Sequence, residues 1–459
     1  MTKVIKFPNF ISQRQLFFPQ IETQAAWKNF INSDLGYIHQ SFPWKELTKL
    51  FKPKRSRDNR GKKSIFDTQG KIALMFLKSY SGYSDEKLID RINSDYFFQL
   101  FCGVIIRPGE EIKDEKLPSS IRCELAKHFD PGEFQKILAL HWKPFMNDTH
   151  AMFVDATCYE TDMRYPTNIK LLWECNEWIY NQMKKLCRIS NQRQARNKFG
   201  EQKSKTLTYQ KNKKKTYKKT RKRIGSLLYL LEKLMDQLKE AEKNMGREIT
   251  MSARYYEKKA IIQIVLRQQK QWYETQVKPK DLIVSVTKNY IRPIVRGKET
   301  KRVEFGAKVN KIQVDGISFV EKLSFDAFHE GIRLKQSIYL SRKLFGKCSH
   351  LGGDAIYANN VNRKYCTKNN IITSFVKKGK PAKDEEVQKH MRSILSKERA
   401  TRLEGSFGTE KEHYGLKKIR ARAKHTEILW IFFGIHTVNA VNISKRIKSP
   451  EEIPKKMAA

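Results

Sequence analysis

Acid is what this chain is short of. Against 91 Lys and Arg it sets 48 Asp and Glu, which leaves a formal charge of +43 over 459 residues. Solubility does not ask for so large an imbalance. A polyanionic partner does, nucleic acid first and an acidic membrane surface second. Paired cysteines are missing as well. Cys102, Cys123, Cys158, Cys175, Cys187, Cys348 and Cys366 are scattered, with no CxxC pair among them. That argues against a disulfide framework or a structural zinc site and for a reducing compartment. The ten histidines form no HxxxH or HxH pair, so a zinc hydrolase has little support. No GxxxxGKS or GxxxxGKT run occurs, which leaves an ATP-driven motor unsupported. The longest clean apolar run, residues 428–435, is too short to span a bilayer. Near the N-terminus Pro8 and Arg14 interrupt any signal-peptide core. The expectation is a cytoplasmic, nucleoid-associated protein with no membrane partner.

What is present is a folding composition: 39% hydrophobic and 11% aromatic residues exclude a disordered basic tail. The segment 54–63 reads as a charged loop. Asp67 opens a helix with Ile72, Phe76 and Tyr80 on one face, and Ser84 caps a second helix after a Gly82 turn. Helix, glycine turn, helix is also the outline of a DNA-reading motif, although Asp85, Glu86 and Asp90 make its second helix poor in positive charge. Between Glu201 and Glu232 there is no acid at all, and Lys211, Lys213, Lys214, Lys215, Lys218, Lys219, Arg221, Lys222 and Arg223 crowd the interval. Leu227, Leu231, Leu234 and Leu238 then recur as a helical seam. Together with Ile261, Ile264 and Val265 on a later helix they suggest a helical hairpin with a basic base, suited to phosphate contact; the bland alternative is a solvated surface.

Residues 151–154 form a short apolar strand that stops at Asp155. From Leu282 onward the pattern turns to period two: a strand over 282–287, then alternation through Val303, Phe305, Ala307 and Val309, an Asp315-Gly316 hairpin turn, and a strand from Ile317. A helix over 332–345 follows, with Leu334, Ile338 and Phe345 on one face, and a further strand is expected over 371–376. Gly352-Gly353-Asp354 puts a second acid after a faint strand, and Glu404 lies on a later helix with Lys411 seven residues on, pointing the same way. The fold class is α/β, a mixed sheet flanked by helices. The expected organisation is an N-terminal helical domain over 1–150, a core from 151–168 and 281–443, an inserted basic helical hairpin over 169–280, and a polar tail over 444–459. Asp155, Asp354 and Glu404 together would suit two divalent ions over a phosphodiester, with hard oxygen ligands selecting Mg²⁺ or Mn²⁺. Glu160, Asp162, Asp315, Asp326, Glu410 and Glu412 compete for such roles; Asp315 reads as a turn residue, and Glu410 and Glu412 fall off the Glu404 face.

Four stretches carry a resemblance: Val154-Asp155-Ala156-Thr157 with Arg164-Tyr165-Pro166-Thr167; Arg292-Pro293-Ile294-Val295 with Val303-Glu304-Phe305-Gly306; Asp354-Ala355-Ile356-Tyr357; and Arg402-Leu403-Glu404-Gly405-Ser406-Phe407-Gly408 running on to Lys411. In this order the chain resembles the DDE-type transposases of bacterial insertion sequences, whose core is RNase H-like. The resemblance implies two metal-binding aspartates, Asp155 and Asp354, a metal-binding Glu404, and two Mg²⁺ ions. It also implies binding of terminal inverted repeats, DNA cleavage and strand transfer into target DNA, and a homodimer. Arg402, Lys411 and Tyr357 are further candidates for DNA contact, beside the basic tract. The sequence departs from many such relatives, which carry Tyr and Arg seven and four residues before the glutamate; here Lys397 and Ala400 hold those places, with Arg399 and Arg402 adjacent. A DNA-binding protein of the same fold that has lost the chemistry is the alternative reading.

Overall fold

The computed structural model describes residues 4–6, 21–51, 64–107, 109–244, 250–295, 302–376, 378–379 and 385–449. The expected loop over 54–63 and most of the basic loop over 377–383 lie outside the described residues. The chain divides into two units, one of residues 1–162, 307–324 and 328–459, the other of 163–306 and 325–327. All seven cysteines are free. Among the described residues no helix is long and apolar enough to cross a membrane.

In the first unit a mixed sheet is built on the Ala151–Thr161 strand. On one side the order runs to the Val303–Val314 strand and then the Ile317–Ser324 strand; on the other it runs to the His350–Gly353 and Ile372–Thr373 strands. Val303–Val314 and Ile317–Ser324 pair antiparallel. Their connection is the expected turn, with Asp315 and Gly316 both at positive φ (47° and 77°), the pair of left-handed residues a two-residue hairpin needs. The central strand pairs in parallel with His350–Gly353, Val154 standing opposite Gly353. The faint strand before Asp354 is therefore real, and its weak sequence has a cause. A Cβ on Gly352 would lie 2.5 Å from the Phe153 ring and 3.0 Å from the Leu395 carbonyl oxygen. Only glycine fits between the central strand's phenylalanine and the helix above it.

The N-terminal helices belong to this same unit. The Lys424–Lys448 helix is their shared wall. Its Phe433 ring lies 4.6 Å from Phe76 and 5.3 Å from Phe134, while its Asn439 accepts from the Ser318 N–H at 2.9 Å and donates to the Ser318 carbonyl at 2.7 Å. One helix thus carries aromatic packing towards the N-terminal helices and edge-type hydrogen bonds towards the sheet. The helix-turn-helix outline is present as expected: Asp67 caps Thr68–Ser81, Gly82 ends it in the left-handed conformation, and Ser84 caps Asp85–Ser94.

The second unit holds more than a hairpin. Four helices, Asn168–Ile189, Phe199–Lys211, Tyr217–Lys243 and Ala253–Thr275, pack around one apolar core. Leu227, Leu231, Leu234 and Leu238 are fully buried in it, as the seam requires. Ile264, expected inside, is instead exposed. The strand expected over 282–287 does not form. Leu282, Ile283, Val284 and Val286 are buried, but Ile283 and Val286 pack on the helical core, and the Ile283 N–H is taken by the Gln268 side chain. Burial on several sides gave those residues their apolar character without a neighbouring strand.

His436 on the shared helix is fully buried, and burial together with nearby Lys311 pushes its pKa from 6.5 down to about 3. It is neutral in the fold and protonated in the unfolded chain below pH 6.5. Its contribution is therefore complete above pH 6.5 and lost as pH falls towards 3, by about 1.4 kcal/mol per pH unit. Urea denaturation of His436→Leu between pH 7 and pH 4.5 is expected to show a pH slope shallower by one proton than the wild type; an identical slope would mean the imidazole is charged in the folded state.

Candidate active site

Alternate residues of the central strand, from Phe153 to Thr161, share one face, and each meets the C-terminal helices. Phe153 forms a buried cluster with Leu395 and Leu403. Asp155 meets Arg399; its Oδ2 accepts from Nη1 at 2.8 Å. Thr157 accepts from Lys411 Nζ at 3.0 Å, Tyr159 donates to Glu410, and Thr161 donates to Glu427 at 2.8 Å. Burying the Phe153 and Leu403 side chains is worth roughly 1.5–3 kcal/mol apiece, and that packing brings the polar partners within reach.

Register places the two aspartates side by side. Val154 pairs with Gly353 in parallel, so Asp155 and Asp354 are the next residues along two adjacent strands. Each accepts the following backbone N–H, Asp155 from Ala156 at 2.7 Å and Asp354 from Ala355 at 2.6 Å. Burial, reinforced by Glu404 and Asp354 close by, raises the Asp155 pKa; the Ala156 N–H and Arg399 act against the rise.

Glu404 arrives by an unusual turn. The helix that starts at Glu385 is α-helical to Glu398, π-helical over Arg399–Glu404 and α-helical again over Gly405–His413. A π-turn takes one extra residue, so residues five apart share a face where an α-helix aligns residues four apart. Arg399 and Glu404 are five apart, and Arg399 Nη1 lies 2.7 Å from Glu404 Oε1 as well as 2.8 Å from Asp155 Oδ2. One guanidinium nitrogen bridges the two carboxylates. Arg399, five residues before the glutamate, is the arginine that reaches it, while Ala400, four before, has no side chain able to do so. Among the described residues no group of three or more His, Cys, Asp or Glu is arranged to hold a metal ion; the guanidinium stands in the gap between Asp155 and Glu404.

The remaining candidates divide. Lys411 faces Thr157, two residues along the strand from Asp155. Arg402 is half-exposed and pairs with Glu398 at 2.8 Å. Tyr357 is fully buried, its hydroxyl donating to Asn310 at 2.6 Å, which leaves it no face for DNA. Asp315 is the turn residue it was expected to be and accepts from Arg446 at 2.8 Å. Glu410, off the Glu404 face on a helical wheel, is nevertheless buried and paired with Lys311. A lysine at the alternate position that follows Phe305, Ala307 and Val309 was the one sequence signal for it. In the second unit Lys213, Lys214, Lys215, Lys218, Lys219 and Lys222 are exposed. Arg221 lies 4.7 Å from the Tyr273 ring centre. Arg223 is not part of that surface, being buried against Gln202.

Deletion of Ala400 is expected to turn the π-turn into an α-helical one while both flanking helices keep their phase, with Arg399 still on Asp155. Thermal denaturation should show stability equal to or above the wild type's. A loss of more than about 2 kcal/mol, the scale of a backbone misfit, would show that the extra residue is needed for the fold.

No curated protein and no solved structure matches the chain. Residues 24–122, in the helices that precede the central strand, match the family model described as a transposase domain, DUF772, and this match supports an insertion-sequence transposase.

Proposed function

We propose that the chain is a DDE-type transposase with an RNase H-like core, acting on duplex DNA through Asp155, Asp354 and Glu404. The observation that carries this reading is the register: Asp354 directly follows the His350–Gly353 strand beside Asp155, which lies within the central strand (the strand runs on to Thr161 and does not stop at Asp155 as expected), and a glutamate is tied to Asp155 through Arg399. The strand order supports the fold assignment, since an antiparallel pair lies on one side of the strand that carries the first acid and two parallel strands lie on the other.

An all-oxygen set of three acids fits a hard cation, and the space between Asp155 and Glu404 already accommodates a positive group in Arg399. Asp155, Asp354 and Glu404 would hold Mg²⁺ or Mn²⁺, two ions supplying nucleophile activation and stabilisation of the leaving 3′ oxygen. Arg399, released from its carboxylates, is placed to meet a phosphate, and Lys411 beside Thr157 is a second cation on the same face. Exposed Lys417, Lys418, Arg420, Arg422 and Lys424 follow in the same unit.

The second unit adds a phosphate-binding surface. Lys218 and Lys219 sit in the first turn of the Tyr217–Lys243 helix, which has no acid there. Positive charge at a helix N-terminus opposes the helix dipole, and a bound phosphate relieves both. The activity follows as binding of terminal inverted repeats, cleavage to expose 3′ hydroxyls, and their transfer to target DNA, by a homodimer on the resemblance to that family.

Single replacement of Asp155, Asp354 or Glu404 by Ala is expected to cut Mg²⁺-dependent cleavage of a duplex carrying the element end by more than about 100-fold. Cleavage retained by any one variant removes that residue from the site. Replacing Lys213, Lys214, Lys215, Lys218, Lys219 and Lys222 by Gln is expected to lower the slope of log affinity against log salt by about one for each lysine on a phosphate. An unchanged slope assigns the tract to solvent.

A further inference from the structure

Six residues past Glu404 the same helix carries an acid that the proposed chemistry does not use. Glu410 is fully buried, and so is Lys311, the lysine that pairs with it. One Glu410 oxygen accepts from Lys311 and the other from the Tyr159 hydroxyl. Lys311 also donates to Ser406 Oγ at 3.1 Å and lies 4.5 Å from the centre of the Phe407 ring. The group therefore ties three elements together: the central strand through Tyr159, its neighbour through Lys311, and the helix through Ser406 and Glu410.

Stability alone does not explain the arrangement. A buried ion pair is often no better than apolar side chains of the same volume, whereas leaving one member alone is costly. What the pair adds is intolerance of slippage. Leucine against phenylalanine survives a shift of the helix by one residue; a buried carboxylate that loses its lysine does not. The register between Val303–Val314 and Ile317–Ser324 shifts beside Lys311, where the partner strand carries Glu321 as an extra residue. Register is also what Glu404 needs. It ends a π-turn, the one place in this helix where a residue can be gained or lost without breaking it.

We infer that Lys311, Glu410 and Tyr159 are positioning residues that pin the helix after the π-turn, so that Glu404 stays turned towards Asp155; this rests on the reading of Asp155, Asp354 and Glu404 as the metal-binding acids. The test uses the full chain with Lys311→Met and Glu410→Leu combined, and separately Tyr159→Phe, which keeps the ion pair. The double variant is expected to fold and melt within a few degrees of the wild type. Its amide hydrogen exchange over residues 399–413 should rise at least about tenfold, with Ala151–Thr161 unchanged. The Mg²⁺ concentration for half-maximal cleavage should rise by a similar factor, and Tyr159→Phe should shift both in the same direction by less. A folded double variant with wild-type exchange and wild-type Mg²⁺ dependence overturns the inference. Should the double variant fail to fold, wild-type values for both in Tyr159→Phe overturn it. A wild-type protein that never cleaves sinks the metal reading instead, and exchange still decides whether the helix is pinned.

Discussion

A carboxylate within a buried strand must be answered by positive charge, and much of the first unit is arranged around that demand. Asp155 sits where the apolar run of the central strand ends, and burial works against its ionised form. Its neighbours on the same face, Thr157, Tyr159 and Thr161, are polar as well, and the C-terminal helices supply a partner for every one of them. The phenylalanine at the start of this face does the opposite work. Phe153 draws Leu395 and Leu403 down by apolar contact, and it does so over a glycine that leaves its ring room. Apolar attraction sets the approach of the helix, and charge sets its rotation.

The second aspartate needs no such helix. Its place follows from strand pairing alone, since Gly353 stands opposite Val154 and the next residue of each strand is an aspartate. Two acids are thus fixed by the sheet and a third by a helix that carries its own irregularity. This division makes the π-turn intelligible. An α-helical run would have aligned Glu404 with Ala400, and the extra residue of the π-turn aligns it with Arg399 instead. The N-terminal helices contribute no acid to this constellation. They pack on the Lys424–Lys448 helix, and the exposed face of Asp85–Ser94 mixes Glu86 and Asp90 with Lys87 and Arg91, a charge pattern suited to bracing more than to reading DNA.

Much of this was legible in the residues. Period two through Val303–Val309, the Asp315-Gly316 turn, the caps at Asp67 and Ser84, and the leucine seam at 227–238 each have a local cause, and local causes survive into the fold. The three candidate acids stood out in the residues because each follows or interrupts a pattern. What escaped reading was set by contacts between distant segments. The strand before Asp354 looked unconvincing because packing against Phe153 had removed its side chain. Residues 282–287 looked like a strand because helices bury them. The inserted segment read as a hairpin because Phe199–Lys211 has almost no apolar stripe, although Asn168–Ile189 carries one as regular as the leucine seam. The π-turn has no sequence signature at all, and the buried partnership of Lys311 with Glu410 spans two elements that only the fold brings together.

The Lys424–Lys448 helix has a practical consequence for how this chain can be taken apart. It closes the hydrophobic side of the N-terminal helices and also caps the sheet through Asn439. A fragment limited to residues 24–122 would therefore expose Phe76 and its neighbours to water, and a fragment beginning at the central strand would leave Phe433 bare. The segment that matches the family model is here not a detachable module but one side of a joint interior.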